Sequence, residues 1–404
     1  FHILDHNILM LNITLSNCDK RLVPLQRYSS TIDICFKFVN PQPRKLIFSH
    51  STLVNITIEI KDITLIFESC TFTNTSIMAN GTSKEIMIFS NTALSWVFKS
   101  QLLLSNYHLI KFVNCSLTNI NINDRKTAIN MQNINYFTIE QCKFFKVAAP
   151  IIFAQNCLKL HINQIKVTHM YVWRKRKKHV LTYFSFKNIR NIQVKNSVFK
   201  NTESLLIYIL GIRYMVISNN IIENCKSLID ICFFKNNVSI TIQNCKFINC
   251  TTMQDKALLN MFHLNAEIDV DSTAIGITFV YIVLNGSIFK SCQLSTSSAL
   301  SISSYKTLDS NIIQLVISCL FVNNNSSNFK GIILLSSIKY LLVSRCIFSG
   351  NQMAHLGIIQ LKEISFVVFF IIHFEFNALI ERSAIIKINN IMSVKIITML
   401  FKSN

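Results

Sequence analysis

Short apolar runs alternate with polar turns along the whole chain, and no run carries the i, i+3, i+4 stripe of an amphipathic helix. Asn237-Val238-Ser239-Ile240-Thr241-Ile242 alternates residue by residue, as a strand with one buried face does. Tyr340-Leu341-Leu342-Val343 is shorter and denser. Gly331-Ile332-Ile333-Leu334-Leu335, Gly357-Ile358-Ile359-Gln360-Leu361 and Ala384-Ile385-Ile386-Lys387-Ile388 each follow a polar turn. The longest apolar runs are Ile277 to Leu284, Leu205 to Leu210 and Phe366 to Ile372, far below the roughly 18 residues of a spanning helix. They are rich in Ile, Val, Phe and Tyr, as buried strands are. The pattern predicts many short strands and no membrane helix.

These strands sit in a repeat. Its core is Asn/Ser-Cys-x-Phe-x-Asn: Ser69-Cys70-Thr71-Phe72-Thr73-Asn74, Asn244-Cys245-Lys246-Phe247-Ile248-Asn249 and Ser318-Cys319-Leu320-Phe321-Val322-Asn323. Asn114-Cys115-Ser116-Leu117-Thr118-Asn119 keeps Leu for Phe, and Asn196-Ser197-Val198-Phe199-Lys200-Asn201 keeps Ser for Cys. The anchor falls at 72, 117, 144, 199, 222, 247, 289, 321 and 348. Gaps of 45 and 55 residues fit two turns each with one degraded anchor, so the period is about 25, in the solenoid range. The Leu-x-x-Leu-x-Leu pattern of leucine-rich repeats is missing.

Two strand-like pieces per repeat, a period near 25 and no helix predict an all-β fold, a parallel β-helix. Each repeat makes one coil of three short strands, stacked about 4.8 Å from the next. A dozen or more coils give a rod of about 60–70 Å. Cys and Phe at i and i+2 point the same way, inward, so the cysteines form a column of buried thiols that act as small hydrophobes. The Asn positions suit corners, because Asn tolerates left-handed backbone best after Gly. The pattern resembles the right-handed parallel β-helix of the pectate-lyase-like superfamily. More narrowly, it is similar to the degenerate repeats of polymorphic outer-membrane-type surface proteins, where Phe-x-x-Asn precedes a Gly-Gly-Ala-Ile-like strand start. Phe321-Val322-Asn323-Asn324 leads here to Lys330-Gly331-Ile332-Ile333, and Phe348-Ser349-Gly350-Asn351 to Leu356-Gly357-Ile358-Ile359. The resemblance spans about residues 60 to 390.

Composition sharpens this reading. The 404 residues are 50% hydrophobic and 15% charged, enough to bury a large core. Only 7 Gly and 4 Pro occur, so corners fall to Asn and the Gly-bearing signatures of the superfamily are mostly absent. The 13 cysteines show no zinc-type spacing. Beginning at Phe1 and stopping after a strand-like run, the chain reads as one β-helix domain over 1–404, a fragment truncated at both ends. A protruding basic loop is expected at 168–179 and an insertion or extra coil at 252–286.

Net charge is +20, and its densest run is Trp173-Arg174-Lys175-Arg176-Lys177-Lys178-His179. Such a run can hold a sulfated glycan or other anionic polymer, with Trp173 available for stacking. A solvated loop is the plainer reading. Nucleic acid fits a surface protein less well. Glu267, Asp269 and Asp271 lie at i, i+2, i+4 and would share one strand face, four residues after His263. They could hold Ca²⁺ or serve polysaccharide cleavage, but no Gly or Asn loop completes a cation cage, which favours a polar outer face. No other cofactor is expected. The superfamily's hydrolases resemble one another in Asn-Thr-Asp, Asp-Asp, Gly-His-Gly and Arg-Ile-Lys motifs, and none of the four occurs here. Ten Asn-x-Ser/Thr sequons, at Asn12, Asn55, Asn74, Asn80, Asn114, Asn237, Asn249, Asn285, Asn324 and Asn325, suit a secreted glycoprotein. The expected role is a non-catalytic secreted or cell-surface rod for adhesion or for binding carbohydrate or anionic polymer. The alternative is a polysaccharide lyase or glycoside hydrolase of the superfamily.

Overall fold

A computed structural model describes residues 7–11, 14–16, 32–35 and 45–402, with 55, 98–100, 122–126, 149, 171–181, 204, 227–228, 234–237, 253–256, 264–277, 295–296, 305–310, 327–330, 354–356 and 380–383 left out. Every described element is a β-strand, and every register pair is parallel to its neighbour one coil away. The chain parts into two compact units, 1–189 and 190–404. Each is a run of right-handed parallel β-helix coils.

One coil of the first unit shows the construction. Strands Leu109–Val113, Ser116–Asn121 and Ile129–Gln132 pair in register with Tyr136–Glu140, Lys143–Val147 and Ile152–Gln155 of the next. Alternate residues point inward, giving burial that switches at each step, as in Leu109–Val113, where Ile110 and Phe112 are buried.

Stacking puts each residue beside its equivalent, so like side chains form ladders. In the first unit Phe48, Phe67, Phe89 and Phe112 stack at 5.1, 5.0 and 4.5 Å between ring centroids. In the second, the anchor column Phe247, Phe289, Phe321, Phe348, Phe374 and Phe401 stacks at 4.6, 4.9, 4.9, 5.0 and 5.3 Å, tilted by no more than 13°. The two long gaps in the repeat hold the expected degraded anchors. Leu94 lies between Phe72 and Leu117, and Val167 pairs with Phe144. Phe247 pairs directly with Phe289, so the long stretch between them belongs to a single coil.

Corners carry left-handed backbone. The residue before the inward Cys position and the residue two after the anchor both have φ near +50°: Ser69 and Asn74, Asn114 and Asn119, Gln141 and Lys146, Asn196 and Asn201, Asn244 and Asn249. A third corner uses Asn106, Asn133, Asn156 and Asn188 in the first unit. There each Asn Nδ2 donates to the Oδ1 of the Asn one coil before, at 3.1, 3.2 and 3.3 Å from Asn133, Asn156 and Asn188. Asn is therefore favoured twice over: it accepts the backbone conformation and it ties coil to coil. Ile371 sits at such a corner with φ +56°, where a β-branched side chain clashes with its own backbone. Replacing Ile371 by Asn should raise stability by about 1 kcal/mol. A denaturation midpoint unchanged or lowered in that variant would mean the corner is not strained.

All but Cys232 of the cysteines whose side chains are described are buried, and the structure adds a reason for them. Cys115 Sγ donates to Phe89 O and to Val113 O, both at 3.3 Å, so the thiol binds a corner carbonyl of the coil before. Other small donors fill equivalent places: Thr92 bonds Phe67 O at 3.4 Å, and Asn220 Nδ2 bonds Val194 O at 2.9 Å. A second inward column follows the second corner. It runs Thr202, Cys225, Cys250, Cys292, Asn324, Asn351, Asn377, all buried. No disulfide links the eleven cysteines whose side chains are described.

Candidate functional site

The later coils of the first unit concentrate positive charge. Between residues 101 and 189 the chain has thirteen Lys and Arg against two acidic residues, Asp124 and Glu140. The fold turns this composition into a surface. In Cys142-Lys143-Phe144, the inward pair leaves Lys143 facing out. The next coil repeats the pattern at Ile165-Lys166-Val167, and Lys143 and Lys166 are direct register partners. Both are exposed. Like charges facing each other across a strand pair oppose folding. Ser116 precedes Lys143 in the same column, so the coil before brings no carboxylate to that position. Elsewhere such lysines are neutralised: Lys111 pairs with Glu140 at 3.0 Å, and Lys200 with Glu223.

Aromatic rings lie among these cations. Phe145 follows on the same outer face, 37% exposed, with Lys146 Nζ at 5.2 Å from its centre and the His169 ring edge-on at 5.4 Å. On the neighbouring sheet Tyr136 pairs in register with Lys159, whose Nζ lies 5.5 Å from the ring centre, and His108 meets that ring at 5.2 Å. On the third sheet Lys187 sits 5.4 Å over Phe153. All three sheets of these coils thus present a cation over a ring, a combination that suits polyanions with flat apolar faces.

The second unit carries two other features. Tyr214, Tyr281, Tyr340 and Phe366 share one outward register column, with Ser239 between the first two and Gln314 between the next two. Separately, Tyr208, Asp230 and Asn260 are register neighbours at outward positions. Asp230 is nevertheless only 4% exposed and accepts a hydrogen bond from Asn260 Nδ2 at 2.9 Å. Burial, with Cys232 and Asp230 nearby, pushes the Tyr208 phenol up to about 12.

Trp173, Arg174, Lys175, Arg176, Lys177 and Lys178 lie outside the described residues, as do Glu267, Asp269 and Asp271. The basic run begins three residues after Met170, the end of the strand that bears Lys166. Among the described residues no group of three or more His, Cys, Asp or Glu could hold a metal ion, and no helix is long and apolar enough to cross a membrane. Sequence reasoning missed Lys143, Lys166 and Phe145, although Lys143 and Lys166 hold the same place in the repeat. It also missed the Tyr column, which falls six residues before the inward Cys position, as Tyr340 does before Cys346.

No family model matches the chain, and no curated protein does. Among solved structures, the periplasmic alginate epimerase AlgG is similar at a TM-score of 0.31 and 9% identity over 88% of this chain and 77% of that one. The Streptococcus pneumoniae surface protein and adhesin PfbA is similar at 0.29 and 12% over 89% and 91%. The tailspike protein gp49 of Acinetobacter baumannii bacteriophage Fri1, a capsular polysaccharide depolymerase, is similar at 0.25 and 9% over 81% and 57%.

Proposed function

We propose that the chain is a non-catalytic β-helical binding protein of a cell surface or secreted compartment, which holds an anionic polymer, a glycan foremost, on the outer face of its first unit. The observation that carries this reading is the register pair Lys143 and Lys166, two exposed cations stacked on successive coils, with Phe145 following Lys143 on the same outer face. A polymer with one charge per sugar, lying along the stacking direction, meets one cation per coil of about 4.8 Å and relieves their repulsion. The run Arg174 to Lys178, which follows Met170 in the sequence, adds five positive charges to the chain.

Changing Lys143 and Lys166 together to Glu should abolish retention on a heparin column at physiological salt, and wild-type retention should fall steeply as salt rises. Changing residues 174–178 to Ser should by itself weaken the retention of the otherwise unchanged chain. Retention indifferent to both sets would remove the proposal. Equal retention on duplex DNA at matched salt would move the partner from glycan to nucleic acid. The alternative, a polysaccharide lyase or hydrolase, finds its support in Asp230, a buried carboxylate at an outward position beside Tyr208. Product release from an acidic polysaccharide that disappears in Asp230→Asn would favour it over the binding role.

A further inference from the structure

Two outward columns of the second unit form an uncharged face. The ring column reads Tyr214, Ser239, Tyr281, Gln314, Tyr340, Phe366. Two residues further along the same strands runs Val216, Thr241, Val283, Val316, Leu342, Val368. No Lys, Arg, Asp or Glu stands in either column, in a chain of net charge +20. The four rings are 40 to 51% exposed, and the shorter side chains beside them are partly exposed. Arg213 and Lys339, directly before Tyr214 and Tyr340, and Arg345 at the following corner lie outside the columns. An aromatic, uncharged centre with a polar rim is the anatomy of a protein–protein interface.

Its size and relief suit a second copy of the same chain. Six coils at about 4.8 Å, each with a strand of about 16 Å, make a patch of roughly 450 Å² before the relief of the rings is counted. That is near the upper end of what a monomer leaves in water. Two such patches face to face remove about 1,000 Å² or more, the amount a specific interface needs. The relief is self-complementary, because rings stand tall in one column and valines short in the next. A two-fold axis along the stacking direction, between two facing copies, exchanges left and right. Each ring column then lies over the aliphatic column of the other copy. Tyr281 meets Val283 and Val316 meets Gln314, coil for coil, at the separation of about 10 Å of packed sheets. A two-fold axis across the stacking direction would set rings over rings and hold the short columns apart.

We infer that the chain forms an isologous dimer through this face, with the second units of the two copies side by side and their coils stacked in the same direction. The interface is separate from the lysine pair of the first unit, and its salt response is opposite. Screening weakens the repulsion between two chains of charge +20, so added salt tightens the dimer.

Sedimentation equilibrium of the whole chain at micromolar concentration should find a dimer, tighter at high salt than at physiological salt. Val316→Glu and Gln314→Lys each bury an unpaired charge twice per dimer and should weaken it about a hundredfold or more. Their thermal midpoints should stay near that of the wild type, which separates a lost interface from a damaged fold. Mixing the two variant chains should restore association as a heterodimer, because the new carboxylate faces the new ammonium when Val316 of one copy lies over Gln314 of the other. Lys143→Glu with Lys166→Glu should leave the dimer intact while heparin retention is lost, so the dimer and the proposed function fail separately. A wild type that is monomeric at both salts, or a dimer that survives both single variants, overturns the inference. A mixture that stays monomeric overturns the two-fold along the stacking direction. A monomeric wild type that binds cellohexaose, with binding lost in Tyr281→Ser, would give the face to a neutral sugar instead.

Discussion

Asn351→Leu should destabilise the second unit by about 3–5 kcal/mol, although the two side chains are nearly equal in size. Asn351 is fully buried in the second inward column. Its Nδ2 donates to Phe321 O at 3.0 Å in the coil before and to Asn377 Oδ1 at 2.9 Å in the coil after. Its Oδ1 accepts from the backbone N and the Nδ2 of Asn324, both at 3.0 Å. Leucine would strand a carbonyl and an amide in a place that water does not reach, and each orphan costs about 1–3 kcal/mol. Asn351→Cys should cost less, because Cys292, Cys250 and Cys225 occupy the same column and bond the preceding coil through Sγ, as Cys292 does to Phe247 O at 3.6 Å. Urea denaturation followed by circular dichroism ranks the two. A Leu variant as stable as the Cys variant would show that the ladder contributes packing only.

The second large effect is alkaline. Burial pushes the Cys157 thiol up to about 11 and Cys225 and Cys346 up to about 12, and raises Cys319 further. In the unfolded chain a thiol ionises near 8.5. Above that pH the unfolded state releases protons that the folded state keeps. Stability is therefore fully present below about pH 8.5 and falls as pH rises toward 11. The slope reaches about 1.4 kcal/mol per pH unit for each such thiol, so Cys157, Cys225 and Cys346 together lose about 4 kcal/mol per unit. Denaturation midpoints between pH 8 and 10.5 under reductant should trace this decline. Cys225→Thr with Cys346→Ser keeps a small donor at each place, as Thr75 and Ser197 do naturally, and should flatten the curve. An unchanged slope in the double variant would show that other groups govern the alkaline limit.

The repeat made the fold legible because a β-helix writes its cross-section into the sequence once per coil. Inward Cys and Phe two apart, Asn on either side and a period near 25 together define strands, corners and stacking. Even the missing anchors were implied by spacing, and Leu94 and Val167 fill them. The last rungs, Phe374 and Phe401, escaped because Ile372-His373-Phe374 lacks the cysteine that marks the motif. The second inward column escaped for a different reason. Cys250 and Asn351 share no side-chain chemistry except a small donor, and that likeness is visible only once both are seen bonding a carbonyl one coil below. The surfaces were harder still. Lys143 and Lys166 look like scattered lysines until the register stacks them. Tyr281 and Tyr340 look like core residues of apolar runs until the strand's alternation turns them outward. A dense charge run such as Arg174 to Lys178 is conspicuous in one dimension, whereas a ladder exists only in three.

The direct pairing of Phe247 with Phe289 bears on how such a chain grows. Most coils close after 22 to 27 residues, but Cys245 N reaches Ser287 Oγ across 42. Loop closure rises only with the logarithm of length, so that detour costs less than about 1 kcal/mol beyond an ordinary coil. The ring ladder on either side holds the register regardless of what the excursion contains. Stacking of this kind is indifferent to the length of chain between its rungs: Phe247 still meets Phe289 although 42 positions separate them.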